Sequence, residues 1–76
     1  MEIKWEDGFH IRVSAEEGRA TVAADAAGLR SLAGILLVLA GGAPGEHVHL
    51  DAYNSLEDGS AELILERAED FGEARH

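Results

Sequence analysis

Two histidines and an aspartate alternate along one short segment, at His47, His49 and Asp51. Because successive side chains of a strand point to opposite faces, all three would project from the same side. Imidazole and carboxylate groups together can ligate zinc or another transition metal. Structural zinc needs a fourth ligand, and no residue at a recognisable spacing provides one. We therefore predict no cofactor and no metal, with weak metal binding through His47 and His49 as an alternative.

The remaining chemically reactive side chains form no recognisable catalytic pattern. None of Ser31, Ser55 and Ser60 lies in a nucleophile-elbow sequence. An acid–base pair of His10 and Tyr53 is conceivable, but nothing in the sequence places the two side chains together. The sequence therefore predicts that the chain is not an enzyme.

Acidic residues dominate the second half of the chain. The 76 residues include 15 acidic and 6 basic ones, which gives a net charge of −9. Residues 41–76 hold nine of these acids and two of the bases, a net charge of −7. Such a field opposes nucleic-acid phosphates and attracts a basic protein. We therefore predict a protein partner and no nucleic acid, although solubility alone is an alternative reason for the acids.

A candidate partner-binding surface combines these acids with an aromatic residue in the loop after the histidines. Buried aromatic anchors with a polar surround are typical of protein interfaces. The candidate contact residues are His47, His49, Asp51, Tyr53, Glu57, Asp58, Glu62 and Glu66. The alternative is that the acids are merely solvated and that Leu56, in the same loop, turns into the core.

Strands are the first elements that would position these residues. Apolar and polar side chains alternate over the first 24 residues, which predicts three strands in a meander. A three-residue loop that ends at a left-handed Gly8 would pair Trp5 with Phe9. A four-residue loop, residues 15–18, would join the second strand to the third.

One helix should follow, from an N-cap at Asp25 to about Ala40, with Gly41 and Gly42 as a left-handed C-terminal cap. At 100° per residue, its core-facing arc would hold Leu29, Leu32, Ala33, Leu36, Leu39 and Ala40. Residues 47–51 and 60–67 then predict two more strands.

The element order βββαββ predicts an α+β fold of two layers. One helix would pack on one face of a mostly antiparallel five-stranded sheet, which leaves the other face exposed. We expect one domain over residues 1–76, with an ordered core at about 2–67 and a polar tail at 68–76.

The other side of the helix carries small and apolar residues that permit close approach of a second chain. This candidate oligomer face consists of Ser31, Gly34, Ile35 and Val38. A homodimer, or a structural or regulatory homo-oligomer that binds no other protein, is therefore the alternative function.

The sequence indicates a cytoplasmic location. It contains no cysteine, and its first residues lack the pattern of a signal peptide. The uncharged run at residues 31–45 is shorter than the roughly 20 apolar residues that a spanning helix needs, so we expect no membrane association.

Three ordered segments resemble the immunity protein 32 family of bacterial polymorphic toxin systems. They are DAAGLRSLA from Asp25 with its apolar continuation, HVHLD from His47, and LEDGSAELILER from Leu56. The resemblance implies a non-enzymatic antidote that binds a cognate toxin domain. Its implied contacts in the matching segments are His47, His49, Asp51, Glu57 and Asp58. An acidic inhibitor would suit a basic nuclease toxin, whose own site must hold phosphates.

Overall fold

The backbone forms one helix and four strands over residues 3–69, which are the residues that this computed structural model describes. In chain order the elements are β1 (Ile11–Glu16), β2 (Arg19–Ala24), α1 (Ala26–Ala40), β3 (His47–Leu50) and β4 (Leu63–Glu66). Most of the predicted polar tail, at residues 70–76, and the first two residues lie outside the described residues.

The prediction of a single five-stranded sheet is wrong. Within residues 3–69 there are two separate two-stranded antiparallel sheets, β1–β2 and β3–β4. The predicted first strand does not form, although Trp5 and Phe9 meet as expected, with their rings stacked and 4.6 Å between centroids. The backbone N–H of Glu6 bonds instead to the hydroxyl of Ser31 in α1. The α+β class holds only in the loose sense that one helix packs on antiparallel strands.

The β1–β2 hairpin closes through a tighter turn than the predicted four-residue loop. Glu16 pairs with Arg19, so that only Glu17 and Gly18 connect the strands. Both connecting residues have positive φ, 52° and 76°, as the favoured two-residue hairpin turn requires. The register moves by two residues, and because the side-chain period is also two, Ile11 and Val13 still face the core.

The segment after β3 lies along the edge of β1 and joins the two sheets. The N–H of Glu57 donates to Ile11 O, and the N–H of Ala61 donates to Val13 O, both at 2.8 Å. The N–H of Val13 donates to Ser60 Oγ at 3.1 Å. These bonds fix where the β3–β4 sheet sits beside the first hairpin.

Both ends of α1 agree with the sequence, but the conformation of its C-terminal cap does not. The Asp25 carboxylate accepts the N–H groups of Gly28 at 2.7 Å and of His10 at 3.1 Å, and so acts as the predicted N-cap. Gly41 has φ −88° and ψ 0°, which is right-handed, so the predicted left-handed cap is wrong. The left-handed conformation falls instead on Gly45, with φ 98°.

The helix is rotated relative to the prediction. Its buried residues are Gly28, Ser31, Ile35 and Leu39. Leu29 and Leu36, both expected in the core, are about half exposed. The hydroxyl of Ser31 can be buried because it donates to Ala27 O and accepts from Glu6 N–H, each at 2.9 Å.

The core draws on both sheets, the helix and the loop after β3. Its buried apolar residues are Ile11, Val13, Ile35, Leu39, Val48, Leu50 and Leu56. Leu56 therefore turns inward, as one of the two sequence interpretations held. Several large apolar side chains stay exposed, including Leu29, Leu36, Leu37 and Val38 on α1.

Candidate functional site

The exposed side of the β3–β4 sheet carries histidines and acids together. His47 pairs with Glu66 and His49 with Ile64, and Leu50 pairs with Leu63 behind them. Val48 and Leu50 enter the core, so the alternate residues point to solvent. We call this surface the β3–β4 outer face, and its residues are His47, His49, Glu62, Ile64 and Glu66.

The two imidazoles of this face are held by oxygen atoms. His49 Nδ1 lies 3.0 Å from Glu62 Oε2, with both side chains about half exposed. His47 Nδ1 lies 2.9 Å from the carbonyl oxygen of Gly45, which requires the proton on that nitrogen. The two rings meet edge to face, 5.1 Å between centroids. Among residues 3–69 no three histidine or acidic side chains converge on a point where a metal ion could bind.

The aspartate that follows β3 supports a loop rather than a metal ion. Asp51 Oδ1 accepts the N–H groups of Tyr53 at 2.9 Å and of Asn54 at 3.1 Å. The Asn54 side chain in turn donates to His49 O at 3.2 Å, which ties the loop to β3. Tyr53 itself is 98% exposed. The loop therefore presents an aromatic ring to solvent beside the β3–β4 outer face.

Two of the predicted contact residues lie elsewhere. Glu57 is half-buried, and its backbone bonds to β1. Its side chain shares a shallow depression with His10, Arg12 and Asp25. Asp58, the next residue, is exposed in the same loop. The structure thus brings together His47, His49, Glu62 and Glu66, places Asp51 and Tyr53 at their border, and separates Glu57 and Asp58 from them.

The predicted oligomer face is divided between the core and the surface. Ser31 and Ile35 are each only 2% exposed. Gly34 and Val38 are exposed and line a hollow together with Ile3. No single helix face carries all four residues, because the helix is rotated.

An apolar groove that the sequence did not predict lies between α1 and the strands. It has a volume of about 330 Å³ and is lined by Val22, Leu29, Leu32, Ala33, Leu36, Leu63 and Leu65. A signal for it exists in the sequence, because α1 carries Arg30 as its only charged residue. A helix with one buried stripe needs fewer apolar residues than this one has. The additional apolar residues of α1 line the groove.

The cap at the start of α1 contains an aspartate with a lowered pKa. The N–H of Gly28, followed by that of His10, stabilises the charged form and lowers the pKa of Asp25 below its ordinary value of 3.8. His10 Nδ1 also lies 3.6 Å from Asp25 Oδ2. This arrangement stabilises the start of α1.

The expectation of no membrane association can be compared with the length and composition of the helix. Over the described residues, no helix has the length and apolar character needed to cross a bilayer.

Comparison with known proteins gives one match. The sequence model of immunity protein 32 matches residues 20–68, which is more than half of the chain. The matched region contains nearly all of β2 and the whole of α1, β3 and β4, whereas β1 and the segment of Trp5 lie outside it. Neither the curated proteins nor the solved structures gave a match.

Proposed function

Because the chain belongs to the immunity protein 32 family, we propose that it binds a cognate toxin domain and neutralises it without catalysis. The observation that carries this proposal is the family match over residues 20–68. The proposal places the antidote in the cytoplasm, in keeping with its cysteine-free sequence.

The contact surface in this proposal is the β3–β4 outer face with the neighbouring Tyr53. Both strands lie in the matched region, and their outward side chains are exposed. Glu62 and Glu66 supply negative charge, and Tyr53 supplies the aromatic area that protein interfaces favour. Asp51 holds the Tyr53 loop through two backbone hydrogen bonds, so less conformational entropy is lost when the ring becomes buried.

A basic toxin suits this surface best. The chain has a net charge of −9, and Glu62 and Glu66 lie in the proposed contact with Asp51 at its border. A nuclease must carry basic residues to hold phosphates, and those residues would be attracted to the acids. We therefore propose that the partner is a basic nuclease domain. Asp51, Glu57 and Asp58 would contribute to the field rather than to the central contact.

Co-expression with the toxin encoded beside this chain's gene tests the function. We expect cells that produce both proteins to survive and cells that produce only the toxin to die. The double variant Glu62→Lys/Glu66→Lys should lose most of the protection. The control is Glu16→Lys/Glu17→Lys, which changes the net charge equally but lies at the hairpin turn, outside residues 20–68.

Two outcomes would contradict the proposal. If the toxin kills equally well beside the wild-type chain at equal expression, the antidote function is wrong. If both double variants reduce protection to the same extent, the net charge matters but the β3–β4 outer face is not the contact.

A further inference from the structure

The outer edge of β2 has backbone groups that no strand of residues 3–69 pairs with. The N–H of Asp25 donates to His10 O, and hydrogen-bonded pairs alternate along an antiparallel ladder. Arg19, Thr21 and Ala23 therefore bond inward to β1, opposite Glu16, Ser14 and Arg12. It follows that the N–H and C=O groups of Ala20, Val22 and Ala24 point away from β1.

The opposite edge of β1 shows that this assignment is right. The backbone groups of Ile11 and Val13 that point away from β2 are the ones that bond to Glu57, Ser60 and Ala61. Residues 3–69 therefore cover one edge of the hairpin and leave its other edge unpaired. Residues 20–24 also lack the lysine, proline and bulge with which natural edge strands usually prevent pairing.

We propose that a second copy of this chain docks on the β2 edge, so that two β2 strands pair antiparallel about a two-fold axis at Val22. This register pairs Val22 with Val22 of the other copy and Ala20 with its Ala24. Each outward backbone group then gains a partner of the same kind as in the β1–β2 ladder. The contact uses the same surface on both copies, which gives a closed dimer. The inference goes beyond the proposed function and does not depend on it.

Charge complementarity favours a second copy over another occupant. In this register Arg19 of each copy lies opposite Asp25 of the other, at the two ends of the paired strands. The residues between them, 20–24, are uncharged, so no acid faces an acid although each chain carries a net charge of −9. A basic toxin would find no acid along residues 20–24, whereas the acids of the β3–β4 outer face remain open to it.

The apolar groove supplies the side-chain part of the contact. Val22 is 41% exposed and lies on the side of the hairpin that faces α1, where it lines the groove with Leu29 and Leu36. In-plane pairing about Val22 puts both helices on the same side of the joined sheet, so the grooves of the two copies open towards each other.

Amide hydrogen exchange of the full chain, without any partner, tests the pairing residue by residue. In the dimer we expect protected amides at Ala20, Val22 and Ala24, and their protection should disappear on dilution. Thr21 and Ala23 should be protected at every concentration because they bond to β1. Sedimentation equilibrium over the same concentrations gives the dissociation constant.

Two charge variants test the side chains. Val22→Glu places like charges together at the two-fold axis and should raise the dissociation constant by roughly tenfold or more. Ser14→Glu changes the net charge equally, but this exposed residue lies on β1, one strand away from the proposed contact edge. It should change the constant by less than about threefold.

The proposal is overturned by a chain that stays monomeric up to millimolar concentration. It is equally overturned by a dimer in which the Val22 amide exchanges freely, since that dimer uses another surface. If Val22→Glu does not fold, the exchange pattern of the wild-type chain decides. None of these results requires a toxin, so a failed dimer and a failed antidote function remain distinguishable.

Discussion

The hydroxyl of Ser31 accepts the backbone N–H of Glu6, with 2.9 Å between Oγ and N. The same hydroxyl donates to Ala27 O, and Ser31 is buried. Arg30, the next residue back along α1, contacts the Glu6 carboxylate at 2.8 Å. The helix therefore holds Glu6 by its backbone and by its side chain, and so keeps the stacked Trp5 and Phe9 against the core.

Replacing this hydroxyl should destabilise the protein. Ser31→Ala leaves the part-buried N–H of Glu6 without its acceptor, which should lower the free energy of unfolding by about 1–3 kcal/mol. Urea unfolding measures the loss, and Trp5, the only tryptophan, reports on the affected segment. The control is Glu6→Gln, which keeps the N–H and weakens only a surface ion pair, at a cost of less than about 1 kcal/mol. Equal losses in the two variants would contradict the assigned role of the hydroxyl.

The orientation of α1 is what the sequence could not supply. The N-cap at Asp25 and the length of the helix follow from local signals, and both agree with the structure. From Leu29 to Ala40, however, apolar residues occupy almost every direction around the axis. The periodicity of apolar residues then favours no side of the helix. Ser31, as a polar residue, suggested an exposed side, but it is buried because it bonds to Glu6, 25 residues away in the sequence.

Truncation of two helix residues should reveal this orientation in solution. Ile35 is 2% exposed and Leu37 is 75% exposed. Ile35→Ala creates a cavity and should cost about 2–5 kcal/mol of unfolding free energy. Leu37→Ala should change it by about 0.5 kcal/mol or less. Chemical unfolding of both variants is sufficient, and a larger loss for Leu37→Ala would mean that the helix faces the core differently.

Features of the strands that depend only on the alternation of side chains could be predicted from the sequence. Features that depend on hydrogen bonds between residues far apart in the sequence could not. His47 and His49 share a face as the sequence indicated, since that depends only on the period of a strand. Glu57 left the predicted site because its backbone bonds to Ile11, far away in the sequence. The predicted first strand failed similarly, because residues 57–61 bond to the edge of β1 on which that strand would have paired.

Two glycines of α1 should respond in opposite ways to alanine. A Cβ on Gly28 would lie 2.6 Å from His10 O and 2.9 Å from Ile11 Cγ1, so Gly28→Ala forces β1 and α1 apart. Overpacking of this kind costs about 1–3 kcal/mol. Gly34→Ala meets no heavy atom within 4 Å and should stabilise the helix by up to about 1 kcal/mol. Thermal unfolding of the two variants checks the difference in sign.

Acid should weaken the cap of α1. The folded-state pKa of Asp25 is below its ordinary value of 3.8, chiefly because Gly28 N–H bonds to the carboxylate. Stability from the ionised Asp25 is therefore complete above about pH 5 and is lost as the pH falls through the folded-state pKa.

The variant Asp25→Asn removes this titration. The difference in unfolding free energy between wild type and variant should shrink as the pH falls from about 5 to about 2. A constant difference for Asp25→Asn would mean that the charge of the carboxylate is not what stabilises the cap.

The dependence of the association rate on ionic strength should show whether the acids of the β3–β4 outer face attract the toxin. If the β3–β4 outer face steers a basic toxin, the association rate should fall by roughly tenfold or more as salt rises from low to high ionic strength. The dissociation rate should change much less, because salt screens long-range attraction more than the contacts already made. Stopped-flow mixing measures both rates.

Glu62→Gln/Glu66→Gln should flatten the salt dependence of the association rate, while Glu16→Gln/Glu17→Gln should preserve most of it. A rate that is independent of salt would remove the electrostatic part of the proposal, and apolar contacts around Tyr53 and Ile64 would then have to account for binding.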